Sequence, residues 1–192
     1  MTGQILILGY GSLIWDLDDL APWVRGEWRM AAGPALPLEF SRVSPKRKLS
    51  LVVVIDTAAG APCPTHVIES ARETVAEAVA DLAARERTHE DYIGWVDTEA
   101  ETAFSSHDGV TDRVRAWCAE TGARGAIWTD LDANFETATG APFTVERGIA
   151  YLRTLKGENL AAAREYIDGA PAATETPLRR ALAAQGWWRG DA

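Results

Sequence analysis

The chain has 192 residues, 47% of them apolar and 24% charged, which suits one globular domain over residues 1–192 with a sizeable core. A formal net charge of -9 argues against nucleic acid or an anionic membrane as partner, while a local pocket can still take a small anionic substrate. Cys63 and Cys118 are the only cysteines, so neither a disulfide framework nor a C-x-x-C metal site is expected.

The N-terminus has no basic region followed by a long apolar stretch, and no apolar run approaches the ~20 residues that span a bilayer. A cytoplasmic location is the expectation. Residues 5–8 (ILIL) are apolar at consecutive positions, the pattern of a strand buried on both faces. Residues 16–37 are irregular, with a strand expected near 27–30, and 38–42 reads as another. Residues 49–55 (LSLVVVI) are β-branched and aliphatic, a strand. Gly and Pro at 58–64 mark a turn, and a short strand returns over 65–68. Ser70 and Glu73 fit a capping box for a helix running to about residue 87. A weak strand at 93–96 follows, then a helix capped by Thr111 and closed by Gly122, then a strand over 125–131 (GAIWTDL). The last third is helical: from Thr144 to Gly157, over 158–167, and from Thr176-Pro177 to Gly186.

The first strand opens into Gly9-Tyr-Gly11-Ser12. Glycine lets a ligand or another chain segment approach the backbone, and a loop of outward N–H groups attracts carboxylates and oxyanions. Three phosphate or nucleophile motifs fail here. No Gly-Lys-Ser/Thr is present, Ile14 stands where a dinucleotide fingerprint needs its third glycine, and Ser12 lacks the flanking glycines of a nucleophile elbow. A plain tight turn explains the glycines equally well.

The helix after Ser70 carries a second signal. With Val75 at zero on a 100° wheel, Val79 falls at about 40°, Leu82 at about -20° and Glu86 at about 20°. Glu73, Glu77 and Asp81 lie on the opposite side, where solvated carboxylates belong. Glu86 alone among the helix acids points inward, and a buried carboxylate needs a partner. Arg85 and Arg42 are the candidate partners if its role is structural. An anion-receiving loop together with one buried carboxylate can form an acyl-transfer site, the loop holding a carbonyl and the carboxylate moving a proton.

These residues resemble a known family. Tyr10-Gly11-Ser12-Leu13, closing a first strand, resembles the Y-G-S-L signature of the γ-glutamylcyclotransferase-like superfamily, and GYGSLIW at 9–15 is close to the form of its ChaC branch. An Arg-Glu pair late in the following helix is the second signature, matched by Arg85-Glu86. The resemblance implies an α+β fold with a small mixed β-barrel-like sheet flanked by helices, here with a helical C-terminal third. It implies a lyase or acyltransferase-type enzyme of γ-glutamyl and glutathione metabolism. In that family the substrate's α-amine attacks its own γ-carbonyl, giving 5-oxoproline and a released amine, amino acid or peptide. Carried over, Glu86 moves the proton and Tyr10, Gly11, Ser12 and Leu13 hold the γ-glutamyl group. The nucleophile belongs to the substrate, so neither metal nor cofactor is implied. The ChaC loop with His-Arg-Gly corresponds to FSRVSPKRKLSLVVV at 40–54, where Arg47 takes the arginine's place without the flanking His and Gly.

Other residues are weighed against plain structural roles. The basic run 44–48 is a solvated turn or, through Arg47, a cationic rim for a substrate carboxylate. Tyr92 is a candidate to project into the same cavity. His66, His89 and His107 share no metal spacing, and His89 suits a helix-end cation. Residues 128–134 (WTDLDAN) are polar enough to line a site, or form a strand-exit loop. Trp187 and Trp188 dock the last helix or form a homodimer contact. The alternative to an enzyme is a non-catalytic member of the same fold that binds a small carboxylate.

Overall fold

A computed structural model describes residues 3–190 as two compact units. The first comprises the chain up to Leu36 together with Pro64–Leu131, and the second comprises Pro37–Cys63 together with the chain from Asp132 onward.

The first unit is built on strands β1 (Ile5–Gly9), β2 (Val24–Arg29), β6 (His66–Ser70), β7 (Ile93–Asp97), β8 (Thr102–Phe104) and β9 (Gly125–Thr129). They form one mixed sheet in the order β2-β6-β1-β9-β7-β8. The fold class is α+β, as expected. The barrel-like closure is not found among the described residues: the sheet ends at β2 on one side and β8 on the other. β1 pairs antiparallel with β6 and parallel with β9. That central place explains the unbroken ILIL run, because all five β1 residues are buried.

Helix α1 (Val75–Glu86) packs on one face of this sheet. Val75, Val79 and Leu82 meet Ile5, Ile7, Ile68, Ile93 and Ile127 in one apolar cluster. The helix starts four residues later than the Ser70–Glu73 box implies. Pairing with Val24 of β2 keeps Ser70 in β6, where its hydroxyl accepts from the Arg72 N–H. The cap is Thr74, whose hydroxyl oxygen accepts from the Glu77 N–H while the Glu77 carboxylate accepts from the Thr74 N–H. This box also reads S/T-x-x-E. Helix α2 (Val110–Thr121) packs against β7 and β9 and ends at Gly122, with Gly109 rather than Thr111 as its N-cap.

The second unit holds β4 (Ser50–Ile55) and all but the end residues of β3 (Ala35–Ser44) and β5 (Ala61–Pro64), in the order β4-β3-β5. β5 lies in the stretch read as a turn. Five helices accompany it: α3 (Phe135–Thr139), α4 (Val145–Thr154), α5 (Gly157–Gly169), α6 (Pro177–Ala183) and α7 (Gly186–Arg189). Thr144 and Thr176 cap α4 and α6 as expected, with Pro177 in the first turn. Phe40 and Tyr166 meet edge to face, centroids 6.3 Å apart, within this unit's core. Trp188 is buried there, its indole N–H donating to Asp168. Both cysteines are free and buried, and burial pushes the Cys118 thiol up to about 11. Among the described residues no helix is long and apolar enough to cross a membrane.

Candidate functional site

The parallel pair β1–β9 positions the site, because loops at the carboxyl ends of parallel strands project from the same end of a sheet. The register sets Leu8 beside Trp128, so Gly9 and Thr129 follow side by side. Side chains alternate along a strand. Ile7 and Ile127 lie in the α1 cluster, so Gly9 and Thr129 open onto the α1 face two residues later. His66, paired with Gly9, and Ile93, paired with Thr129, complete the row.

Gly9 is glycine because of packing. A Cβ there would lie 2.6 Å from both Ile14 Cδ1 and Trp28 Cη2. The chain then turns through Ser12–Ile14, a 3-10 turn in which the Gly11 carbonyl accepts from Ile14 N–H at 3.1 Å. The Ser12 carbonyl accepts from the N–H groups of Trp15 and Asp16. Leu13 is buried in the α1 cluster. The Tyr10 ring is buried too, and its hydroxyl donates to the Thr129 carbonyl.

Glu86 is the last residue of α1, and Arg87 behind it takes a left-handed conformation with φ 54° that ends the helix. The Glu86 side chain is 18% exposed, against the 81% of Asp91 nearby in sequence, so it is turned inward. Its Oε1 accepts from Arg85 Nη1 at 2.8 Å and from the Thr129 hydroxyl at 3.4 Å. Arg85 is buried, and its Nη2 donates to the Asp16 carbonyl just beyond the turn. Two connections therefore join the acid to the exit of β1. One runs through Thr129 to Tyr10, the other through Arg85 to Asp16. Arg85, one of the two candidate partners, holds Glu86. Arg42 donates to the Asp132 carbonyl.

Tyr10, Gly11, Ser12, Leu13 and Glu86 thus share one end of one sheet. Tyr92 follows α1 in a short 3-10 turn and is 44% exposed, and its carbonyl accepts from the Asp130 N–H. Arg47 lies in the second unit, its guanidinium 5.8 Å from the Tyr166 ring centroid. His89 is solvent-exposed and paired with Asp91. Thr129 is a site residue within the 128–134 stretch read as polar enough to line a site, though not picked out individually. Its signal is the alternation in GAIWTDL, which puts a hydroxyl on the face of Ile127. Asp130 is the other. Its buried carboxylate accepts from Ser105 Oγ at 2.9 Å, Ser106 N–H at 2.6 Å, Ser106 Oγ at 2.9 Å and Trp128 Nε1 at 2.8 Å. Among the described residues no group of His, Cys, Asp and Glu could hold a metal ion. Compared with protein-family models, curated proteins and solved structures, the chain matches none.

Proposed function

We propose that the chain is a γ-glutamylcyclotransferase-like enzyme acting on a small γ-glutamyl amine or peptide, with the mixed sheet of its first unit read as the sheet of that superfamily. One observation carries the reading: an inward glutamate, Glu86, is joined through Thr129 to the Tyr10-Gly11-Ser12-Leu13 turn.

In the proposed reaction the γ-glutamyl group sits against the turn, next to Glu86. The carboxylate takes a proton from the substrate's α-ammonium group, and the amine nitrogen forms a bond to the γ-carbonyl carbon. Glu86 hands that proton to the leaving nitrogen, the tetrahedral oxyanion collapses and the bond to that nitrogen breaks, and the second proton shed by the ring nitrogen passes to the released amine, which leaves as its ammonium form. The products are 5-oxoproline and an amine, and water is not consumed. Because attacking and attacked groups share one molecule, the protein's contribution is to fold the substrate on itself and to move the proton. The test is release of 5-oxoproline from a panel of γ-glutamyl amines and peptides. Wild-type protein should release it and Glu86→Gln should not, with the fold intact. Equal turnover by the two proteins ends the proposal.

One observation favours a non-catalytic carboxylate binder instead. Arg85 Nε is buried without a hydrogen-bond partner, a donor suited to a bound carboxylate. Protection against heat by γ-glutamyl ligands, with none of them turned over, selects that reading.

A further inference from the structure

Glu86 ends a helix on a side chain with three rotatable bonds, and a proton-transfer group works only when its carboxyl plane is held. Arg85 and Thr129 both reach Oε1. The arginine arm is tied to the loop through the Asp16 carbonyl. The threonine arm is tied more firmly. Thr129 is β-branched and closes β9, its carbonyl accepts from the Tyr10 hydroxyl, and the next residue is locked. Asp130 is 1% exposed, its carboxylate takes donors from Ser105, Ser106 and Trp128, and its N–H donates to the Tyr92 carbonyl at 2.8 Å. Tyr92 in turn lies in the turn that follows the C-terminus of α1. A buried carboxylate so fully satisfied is rigid.

We propose that Thr129 is the positioning residue of this site, its hydroxyl setting the orientation of the Glu86 carboxyl while the Asp130 network holds Thr129 in place. The proposal rests on the cyclisation reading for its catalytic consequence, but the Thr129–Glu86 coupling can be measured without turnover. Thr129→Val keeps the shape and the carbonyl that Tyr10 uses, and removes the hydroxyl. Thr129→Ser keeps the hydroxyl. In the valine variant kcat for 5-oxoproline release should fall about tenfold with KM changed less than about twofold, and serine should restore most of the loss. A valine variant with wild-type kcat, or a serine variant as slow as valine, overturns the proposal. The second measurement is the Glu86 carboxyl carbon signal in protein labelled with 13C at glutamate Cδ, identified by its loss in Glu86→Gln. It should move in Thr129→Val and stay near its original position in Thr129→Ser. A signal unmoved by valine overturns the proposal whatever the kinetics. A signal that moves as expected in a protein that turns over no γ-glutamyl compound supports the coupling and defeats the cyclisation reading alone.

Discussion

Each unit turns a glutamate inward, Glu86 half-buried and Glu39 fully buried, and the two are held in different ways. In the first unit Glu86 is held by side chains, a guanidinium and a hydroxyl, at the open end of a sheet. In the second unit Glu39 is fully buried in β3 and held largely by main chain. Its Oε1 accepts from Phe40 N–H at 2.8 Å, its Oε2 from Leu178 N–H at 3.1 Å, and the Thr176 hydroxyl bonds to it as well. Burial nevertheless raises its pKa above the usual carboxylate range, and Asp56 pushes the same way. A carboxylate whose oxygens are claimed by amides of the strand and of α6 is a fastening between the two. A carboxylate held by side chains at a loop-bearing end can take part in proton transfer.

That contrast can be broken by mutation, and the largest effect is expected at Glu86. Glu86→Gln should lower 5-oxoproline release by about a thousandfold. Its melting temperature should stay within about 4 °C of wild type. A large fall in melting temperature with turnover per folded molecule retained would put Glu86 in the same class as Glu39. Next comes Glu39→Ala, which leaves the Phe40 and Leu178 amides buried without an acceptor. It should cost about 3 kcal/mol of stability in urea unfolding. A cost below about 0.5 kcal/mol would mean those amides find other partners. Smaller again is Asp130→Asn, which sets an amide N–H₂ against donors from Ser105 and Ser106 and should cost about 2 kcal/mol by the same measurement. Wild-type stability in that variant would remove the anchor from the Thr129 arm.

The smallest effects sharpen the comparison through pH. Glu39 has its pKa raised in the folded chain, so the folded state binds the proton more readily than the unfolded one. Its contribution to stability is full below the ordinary carboxylate pKa and declines as pH rises through the raised value. His66 behaves oppositely. Burial lowers its pKa, and its Nδ1 accepts from the Ala31 N–H. The unfolded chain therefore gains the proton first, and stability from this group is lost as pH falls below the ordinary histidine range. Comparing wild type with Glu39→Gln between about pH 4 and pH 7, the advantage of wild type should shrink as pH rises. Comparing it with His66→Phe between about pH 5 and pH 8, the advantage of wild type should grow as pH rises. Slopes of the same sign in both comparisons contradict this assignment.

The legible parts of the fold are those whose signal is local. The buried ILIL run, the LSLVVVI strand, the Thr144 and Thr176-Pro177 helix starts and the Gly122 stop all stand where the residues suggest. The Ser70 box misleads because two S/T-x-x-E registers lie four residues apart, and only pairing of Ser70 in the sheet decides between them. β5 (APCP) has turn-like composition and β8 (TAF) is only three residues long, and each forms because a neighbouring strand supplies the hydrogen bonds. Helix periodicity found the inward Glu86. The Asp130 network was illegible, because Ser105 and Ser106 stand some 25 residues away in sequence and meet it only through the sheet. Glu39 likewise looks like an ordinary strand acid until α6 is folded against it.

The proposed chemistry requires Glu86 and the Tyr10–Leu13 turn to receive one small molecule together. The most direct measurement is a crystal structure of Glu86→Gln soaked with a γ-glutamyl amine. The account predicts the γ-glutamyl group on the main chain of Tyr10, Gly11, Ser12 and Leu13, with its α-amine within about 3.2 Å of the residue 86 side chain. A γ-glutamyl group bound elsewhere, with that turn and residue 86 untouched, would contradict it.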